Sequence, residues 1–346
     1  MSDERLDTLR YLPRRDVVRV CAELDLVDSV KRTLIDHAEG RTTLPEEAYL
    51  PWHTSDGAFA RSLTLPGAVW GERPALGAKV INSSLANPDR GLPRAQGLTL
   101  VFDRERAHPV ALMEAAYISA LRTSAYTVLS ARTLAAAEPG RIGILGCGAL
   151  GEQHVTLLAE EYPGAEFVLF DAVEGRARAL AGRFAADGPA VRAVSRARDA
   201  VDGCAIVVTT TTTTTGYLPE AWLSPGALVA HVSLDDVLPD VVHRAGLLVV
   251  DDWGLIKADD RRLLGRMYRS GELLGPDEAA PTGPGPAPRA VDASLGEILS
   301  GRRPGRRTPE QTVLSNPFGM GVLDVAIAAA VHEYADLHDI GMRLPV

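Results

Sequence analysis

Hydrophobic residues recur at helical spacing near the start of the chain and at strand spacing after it. Between Asp16 and His37 apolar side chains return every three or four positions, which predicts an amphipathic helix with Asp16 as its N-cap. Residues 58–103 carry short apolar runs separated by turn-forming residues: FARSLTL, LGAKVIN and GLTLVFD. These runs predict an α+β domain with its own sheet. We interpret the stretch from Pro109 onward, PVALMEAAYISALRTSAYTVLSARTLA, as a helix that connects to a second domain.

Apolar strands alternate with helical segments through the second half of the chain. The strand-like runs are RIGIL, AEFVLFD, CAIVVTT, ALVAHVS and GLLVVDD. This alternation predicts a parallel sheet covered by helices on both faces. A last helix, from about Val322 to His338, is expected to return to the first domain with no strand after it. The predicted fold class is therefore α/β, with a doubly wound parallel-sheet domain of residues 129–315 and a discontinuous α+β domain of residues 1–128 and 316–346.

Composition and charge exclude several classes of protein. The length of 346 residues suits two domains, since single domains usually have about 100–200 residues. The net charge of −9 is spread along the chain, and the arginine-rich stretch GRRPGRRTP is interpreted as a solvated loop, so we expect no nucleic-acid partner. The three cysteines lack C-x-x-C spacing, which predicts neither disulfides nor a metal site. No apolar run approaches the roughly 18 residues of a membrane span, so a cytoplasmic protein without a membrane partner is expected.

A glycine motif follows the strand Arg141–Leu145 and opens a predicted helix over Glu152–Glu161. Its spacing, G-x-G-x-x-G, is specific only in this strand–turn–helix context. The first glycine permits a tight turn, the second lets a pyrophosphate approach the backbone, and the third lets helix and strand pack closely. The helix N-terminus then faces the phosphates. The predicted cofactor contacts of this Rossmann-type turn are Gly146, Gly148, Ala149, Leu150 and Gly151.

Asp171 closes the next predicted strand, where its carboxylate can accept hydrogen bonds from both ribose hydroxyls of a dinucleotide. The same carboxylate would repel a 2′-phosphate, and no arginine follows before Arg176. The sequence therefore favours NAD over NADP as the cofactor. The alternative is a glycine turn in an α/β domain that binds no nucleotide.

Seven consecutive threonines, Thr209–Thr215, follow the apolar run Ile206–Val208. Ligands of doubly wound sheets bind at the carboxyl ends of the strands. We therefore predict cofactor contacts from Thr209, Thr210, Thr211 and Thr212, and also from Ser233 at the end of the ALVAHVS run. Thr213–Thr215 are expected to fill a surface loop.

The helix MEAAYISALRTSA, the strand GAKVINS and the turn NPFGMGVLDV together resemble the ornithine cyclodeaminase/μ-crystallin family over nearly the whole chain. Within that family, the stretches TTLPEEAYLPW, VVDDW, LGEILSGRRPGR and LSNPFGMG are most similar to the N-(2-amino-2-carboxyethyl)-L-glutamate dehydrogenases. That branch makes 2,3-diaminopropionate for siderophores and peptide antibiotics. The resemblance implies an NAD-dependent enzyme that acts on the CH–NH bond of an amino-acid conjugate. It also implies a homodimer formed through the sheet of the first domain, which is then the substrate-binding and dimerisation domain.

The resemblance also implies roles for basic residues. Arg61, Lys79 and Arg122 match the family's basic residues in the substrate pocket, and a guanidinium fork suits a carboxylate. Arg94 is a further candidate for substrate binding, and Arg122 and Thr123 are expected to contact the cofactor. A lone arginine on a helix is usually a surface charge, and this alternative stays open for Arg122. A lysine between apolar strand residues needs a partner or a ligand, and partial burial would suit Lys79 to proton transfer.

Two further positions are candidate catalytic residues. Glu114 matches an acidic position of the family helix and would either accept a proton or pair with an arginine. Cyclodeaminases of the family carry an aspartate in a D-S-T-G turn where this chain has Asn316, and an amide cannot act as a general base. The departure favours oxidation followed by hydrolysis over cyclisation. The alternatives are an ornithine or lysine cyclodeaminase, an alanine or imino-acid dehydrogenase, and a non-catalytic nucleotide-binding protein like the crystallins.

Overall fold

The computed structural model describes residues 8–185, 188–281 and 287–346 of the chain. In chain order the strands are β1 (Thr8–Leu12), β2 (Thr42–Thr43), β3 (Ala48–His53), β4 (Phe59–Val69), β5 (Ala75–Ser84), β6 (Ala95–Phe102), β7 (Pro109–Glu114), β8 (Arg141–Leu145), β9 (Glu166–Phe170), β10 (Val191–Ala193), β11 (Ile206–Thr209), β12 (Leu228–His231), β13 (Leu247–Val250), β14 (Leu273–Leu274), β15 (Arg289–Ala290), β16 (Ala293–Ser294), β17 (Val313–Asn316) and β18 (Met342–Pro345). The helices are α1 (Arg14–Cys21), α2 (Leu26–Ala38), α3 (Ala116–Leu134), α4 (Ala149–Glu161), α5 (Arg176–Arg183), α6 (Pro239–Arg244), α7 (Trp253–Ala258), α8 (Leu263–Arg269), α9 (Leu295–Leu299) and α10 (Gly321–Leu337).

These elements form two units that divide after Arg122 and after Phe318. The first unit contains the residues up to Arg122 together with Gly319–Val346, and the second contains Thr123–Phe318. The domain boundaries predicted from the sequence follow residues 128 and 315, a few residues away from these divisions. The assignment of substrate binding to one domain and cofactor binding to the other stays a prediction at this point.

An eight-stranded sheet forms the first unit. The strand order is β18-β1-β7-β6-β5-β4-β2, and β3 pairs with β4 outside this path. Helix α10 packs against β4, β5 and β6, and also against α2. The core on this face contains Leu65, Val101 and Met113 from the sheet and Val325 from the helix, all buried.

Four expectations for this unit are wrong. The predicted helix over Asp16–His37 is two helices, because Asp25 accepts a hydrogen bond from the Asp28 N–H at 2.9 Å and caps α2 after a break. Asp16 lies in the first turn of α1 rather than at its N-cap. Residues Pro109–Glu114 form strand β7, which fills the gap between β1 and β6, rather than the start of a helix. The last helix is followed by strand β18, which pairs antiparallel with β1.

The second unit contains the predicted doubly wound parallel sheet. Its order is β10-β9-β8-β11-β12-β17-β13-β16, and every adjacent pair is parallel. Strands β11, β12 and β13 are buried along their full length, as expected for a sheet covered on both faces. Sequence analysis did not predict β17, which lies between β12 and β13. The Rossmann-type fold class is confirmed.

The described residues contain neither a membrane-spanning helix nor a metal-binding cluster. No helix there combines the length and apolar character that a bilayer crossing requires. No group of three or more histidine, cysteine, aspartate or glutamate side chains in that part of the chain is arranged to hold a metal ion. The three cysteines are buried thiols.

Candidate active site

The glycine turn follows β8, whose neighbours β9 and β11 lie on opposite sides of it at the switch point of the sheet. A Cβ atom at Gly151 would lie 2.1 Å from the Gly146 carbonyl oxygen, so only glycine lets α4 start this close to the strand. A Cβ at Gly148 would have no atom within 4 Å. Gly148 and Ala149 are exposed, and no side chain caps α4. The helix N-terminus is therefore open to an anionic ligand.

Asp171 lies beside this turn, immediately after β9. Its Oδ2 accepts a hydrogen bond from the Cys147 N–H at 2.8 Å, and its Oδ1 accepts one from the Val173 N–H at 2.8 Å. Each carboxylate oxygen keeps a second lone pair for a ligand hydroxyl. The open helix N-terminus and this oriented carboxylate together fit the pyrophosphate and a ribose of a dinucleotide.

The threonines after β11 bind mainly to the protein itself. The Thr210 hydroxyl donates to the Gly146 carbonyl oxygen at 2.8 Å, and the Thr211 hydroxyl donates to Asp236 Oδ1 at 2.8 Å. Thr209 is buried, with its Oγ1 2.6 Å from Ser233 Oγ. Of the four threonines predicted to contact the cofactor, only Thr212 is exposed. The tract therefore holds the edge of the sheet in place, and direct cofactor contact from its hydroxyls stays a prediction.

Asp236 organises a buried polar cluster that sequence analysis missed. Its carboxylate accepts hydrogen bonds from the hydroxyls of Ser233 at 2.5 Å, Thr211 at 2.8 Å and Tyr217 at 2.9 Å. Burial raises the pKa of the Asp236 carboxyl, while the three hydroxyl donors oppose that shift. The cluster ties the loops after β11 and β12 together.

Asn316 is the last residue of β17, and its side chain reaches the neighbouring strand β12. The Nδ2 atom donates to the His231 carbonyl oxygen at 2.6 Å and lies 2.9 Å from His231 Nδ1. The Asp236 N–H donates to His231 Nε2 at 3.2 Å. Burial, with a smaller contribution from Arg262, lowers the pKa of His231 to about 3, so the imidazole is neutral. An aspartate at position 316 could not donate to the carbonyl, which accounts for the amide.

In the first unit, Lys79 on β5 and Arg122 on α3 both approach Asp324 on α10. The Lys79 Nζ lies 2.8 Å from Asp324 Oδ2, and the Arg122 Nε lies 3.2 Å from the same oxygen. All three side chains are at least nine-tenths buried. Burial lowers the pKa of Lys79 to about 8, Asp324 opposes this shift, and Arg122 adds to it. The structure thus brings two predicted substrate residues together around a carboxylate that was not predicted.

Arg61 and Arg94 form a second basic pair in the first unit. Arg61 Nε donates to Ser83 Oγ at 3.3 Å. Arg94 is an exposed residue overall, yet desolvation of its guanidinium and then the charge of Arg61 lower its pKa. Neither arginine has an ion-pair partner within the described ranges. Two adjacent unpaired guanidinium groups suit a ligand with more than one carboxylate.

Glu114 and Thr123, two further predicted site residues, make contacts that are structural. The Glu114 carboxylate accepts hydrogen bonds from the N–H groups of Ala116 at 2.9 Å and Tyr117 at 3.0 Å, which caps α3. Glu114 Oε1 also lies 3.6 Å from Arg14 Nη1. Thr123 is buried on α3, and its carbonyl accepts from Thr127 Oγ1 at 3.3 Å. The catalytic role of Glu114 and the cofactor contact of Thr123 stay predictions.

Comparison with known proteins gives the family. The sequence matches the model of the ornithine cyclodeaminase/mu-crystallin family over residues 12–338. The chain belongs to this family. The family assignment made from the sequence is confirmed.

Three relatives of this cyclodeaminase-family chain cover almost its whole length. The N-((2S)-2-amino-2-carboxyethyl)-L-glutamate dehydrogenase of Staphylococcus aureus is 29% identical, over 96% of this chain and 97% of its own. CmnK, known from a crystal structure, is 41% identical in sequence over 98% of this chain and 99% of its own, and the two structures superpose with a TM-score of 0.90. The Δ(1)-pyrroline-2-carboxylate reductase of Thermococcus litoralis, solved with NADH and L-proline, is 21% identical with a TM-score of 0.84, over 97% and 100%.

The residues that the family motifs did not single out are Asp324, Asp236 and His231. One signal in the sequence pointed to the first of them, since Asp324 is the only charged residue in the apolar stretch GVLDVAIAAAV. A charged residue inside an apolar helix needs a buried partner. The sequence gives no such signal for the other two. His231 ends a short strand, and Asp236 lies in a loop of mixed polarity.

Proposed function

We propose that the chain oxidises the secondary amine of N-(2-amino-2-carboxyethyl)-L-glutamate with NAD⁺, and that water hydrolyses the resulting imine. The products are L-2,3-diaminopropionate, 2-oxoglutarate, NADH and a proton. Family membership supports an amino-acid dehydrogenase acting on a CH–NH bond. The similarity to the Staphylococcus aureus dehydrogenase supports this particular substrate. We propose that the product, 2,3-diaminopropionate, serves as a siderophore or peptide-antibiotic precursor.

The observation that carries the substrate assignment is the excess of basic groups in the first unit. Lys79 and Arg122 share the single carboxylate of Asp324, and Arg61 and Arg94 have no acidic partner in the described residues. The proposed substrate has three carboxylates. A small substrate such as alanine has one, and together with Asp324 it would leave two of these four cations without a counter-charge.

Lys79 is the group that we assign to proton transfer. With a pKa of about 8, its amine is available in both protonation states near neutral pH. The neutral amine accepts a proton from the substrate's secondary ammonium, so that the nitrogen lone pair forms the C=N bond as the Cα–H bond breaks. After water adds to the imine carbon, the Lys79 ammonium returns a proton to the nitrogen, and the C–N bond cleaves to release the primary amine.

The second unit supplies the cofactor site in this proposal. Bound NAD⁺ would accept the hydride from the glutamate Cα of the substrate. The turn after β8 and the N-terminus of α4 would hold its pyrophosphate, and Asp171 would hold a ribose. Thr210 shapes the turn through its hydrogen bond to Gly146.

Asn316 favours one-way oxidation over cyclisation. Its amide donates to the His231 backbone and supplies no carboxylate for proton transfer at this position. A cyclodeaminase must return the hydride to its substrate and accumulates no NADH, whereas the proposed reaction forms one NADH for each substrate consumed.

The test is to incubate the purified chain with synthetic conjugate and NAD⁺. We expect stoichiometric NADH, diaminopropionate and 2-oxoglutarate, measured by absorbance and by mass spectrometry. Ornithine, alanine and proline serve as matched alternative substrates, and Lys79→Ala should lose turnover while it keeps NADH binding. Absence of NADH with the conjugate, or ammonia release from ornithine without net NADH, would overturn the proposal.

A further inference from the structure

Asp324 is a fully buried carboxylate that two basic side chains share. Its Oδ2 is the atom that approaches both Lys79 Nζ and Arg122 Nε, at 2.8 Å and 3.2 Å. Its Oδ1 has no hydrogen-bond partner among the described residues. Desolvation of a carboxylate in this setting is costly, and one such anion does not neutralise two cations. The presence of a carboxylate at this buried position therefore points to a role for Asp324 other than stabilising the fold.

The contact with Asp324 fixes the orientation of Arg122. The Nε of the guanidinium forms an ion pair with Asp324 Oδ2 at 3.2 Å without hydrogen-bond geometry, and its Nη atoms lie beside Gly319. A Cβ at position 319 would lie 2.9 Å from Nη1 and 3.0 Å from Nη2, and the φ of 106° at Gly319 also favours glycine. Asp324 beside Nε and Gly319 beside the Nη atoms therefore restrict the guanidinium on two sides.

The contact with Asp324 also acts on the charge of Lys79. The charged groups that face the Lys79 ammonium are Asp324 from α10 and Glu47 from the segment before β3, which favour its protonation, and Arg122 from α3, which opposes it. The Lys79 Nζ also donates to the Ser119 hydroxyl on α3 at 3.2 Å. Asp324 lies 2.8 Å from the ammonium and makes a larger contribution to its protonation than Glu47 does.

We infer that Asp324 is a positioning residue of the proposed dehydrogenase, which orients Arg122 for a substrate carboxylate and keeps Lys79 able to take up the proton that the reaction releases. The inference rests on the proposed function for its catalytic meaning. Its structural content, that Asp324 sets the protonation of Lys79, does not depend on the substrate.

The chain offers a direct measurement because it contains only three lysines, Lys31, Lys79 and Lys257. Protein labelled with ¹³Cε-lysine should give three NMR signals, and the Lys79 signal is the one lost in Lys79→Met. In the unsubstituted protein this signal should titrate near pH 8, well below an ordinary lysine. In Asp324→Asn its midpoint should fall by about one pH unit or more, because the charge that favours the ammonium is gone. Asp324→Glu keeps the negative charge, so its Lys79 midpoint should lie close to that of the unsubstituted protein.

The matched control is Asp336→Asn on the same helix. Asp336 pairs with the buried Arg10 at 2.9 Å, so this substitution also removes a carboxylate from an ion pair of the first unit, outside the Lys79 cluster. We expect it to leave the Lys79 titration unchanged. Thermal unfolding of each variant shows that the compared proteins are folded, and Asp324→Ala, which also removes the charge, provides the comparison if Asp324→Asn does not fold.

Kinetics with the conjugate then separate positioning from a purely structural role. In Asp324→Asn the KM should rise about tenfold through Arg122, and the acid limb of the kcat/KM profile should shift to lower pH with the Lys79 titration. An unchanged Lys79 titration in folded Asp324→Asn, or in Asp324→Ala if only that variant folds, would overturn the inference. So would a fall in kcat alone at every pH. If the unsubstituted protein does not oxidise the conjugate, the proposed function fails, and the NMR result still decides what Asp324 does to Lys79.

Discussion

The hydroxyl of Thr210 donates to the carbonyl oxygen of Gly146, so the end of strand β11 holds the glycine turn that follows β8. Thr210→Val removes this donor without a large change in volume and should raise the Kd for NADH about tenfold, which corresponds to roughly 1.4 kcal/mol. Thr214→Val is the control, because Thr214 is exposed in the distal part of the tract. A fluorescence titration with NADH measures both, and equal effects would contradict the assignment.

The glycines of the turn should differ in what their substitution affects. Gly151→Ala brings a Cβ to 2.1 Å from the Gly146 carbonyl oxygen, so it should lower the free energy of unfolding by about 2 kcal/mol or more. Gly148→Ala meets open space and should change stability by less than about 1 kcal/mol, yet weaken NADH binding where the backbone must approach the pyrophosphate. Urea unfolding and NADH titration of both variants separate the two effects. A Gly148→Ala variant with ordinary affinity would show that this face does not bind the dinucleotide.

Asn316→Asp tests the amide at the end of β17. The substitution places a carboxylate against the His231 carbonyl oxygen and removes the donor, so the free energy of unfolding should fall by about 1–3 kcal/mol. Asn87→Asp is the comparison, because Asn87 Nδ2 donates to the Pro93 carbonyl oxygen at 3.1 Å in an exposed position. That variant should change stability by less than about 0.5 kcal/mol. A similar loss in both would mean that the His231 contact carries no special weight.

The lowered pKa of Lys79 fixes the sign of the pH dependence of catalysis. A lysine that must first accept a proton is inactive when protonated, so kcat/KM should fall about tenfold per pH unit below pH 8 and level off above it. If Lys79 acted only as a cation for a carboxylate, activity would instead fall as pH rises through 8. Lys79→Arg keeps the positive charge without the titration, and should lose kcat by about 100-fold or more.

The sheet of the first unit tests the expected homodimer. Thr99 and Val101 of β6 are buried on the face that α10 covers, whereas Leu98 points to the other face and is 42% exposed. If two chains associate through that face, Leu98→Lys should convert the dimer to a monomer in size-exclusion chromatography with light scattering. Leu337→Lys, at an exposed position near the end of α10, should leave the mass unchanged. A monomeric unsubstituted chain would contradict the expectation directly.

The parts of the fold that the sequence predicts are those with a local pattern. The strand, glycine turn and helix around Gly146 were predicted because each glycine answers a local steric requirement. The stretch Pro109–Glu114 was assigned to a helix because small apolar residues suit both structures, and its pairing with β1 and β6 decides between them. Tertiary contact overrides weak local preference at such positions.

The candidate site divides in the same way. Lys79 was singled out as a charged residue inside an apolar strand, and its burial shows why that signal is useful. Its partner Asp324 lies on a helix more than 200 residues later, and no local pattern pairs the two. The threonine hydroxyls looked available for a ligand, because nothing in the sequence shows that Asp236 and Gly146 accept from them.

Strand β17 enters the middle of the second sheet although more than 60 residues separate it from β13 in the chain. Strands β12 and β13 both pair with β17 and not with each other, so their inner edges are unpaired until β17 is in place. Pairing between segments far apart in a chain is generally slow, because the intervening loop must close first. The last residue of β17 is Asn316, and its amide bonds to β12 only when that strand is seated. A partly folded chain thus lacks the Asn316 contact, and completion of the sheet assembles this part of the candidate site at the same moment.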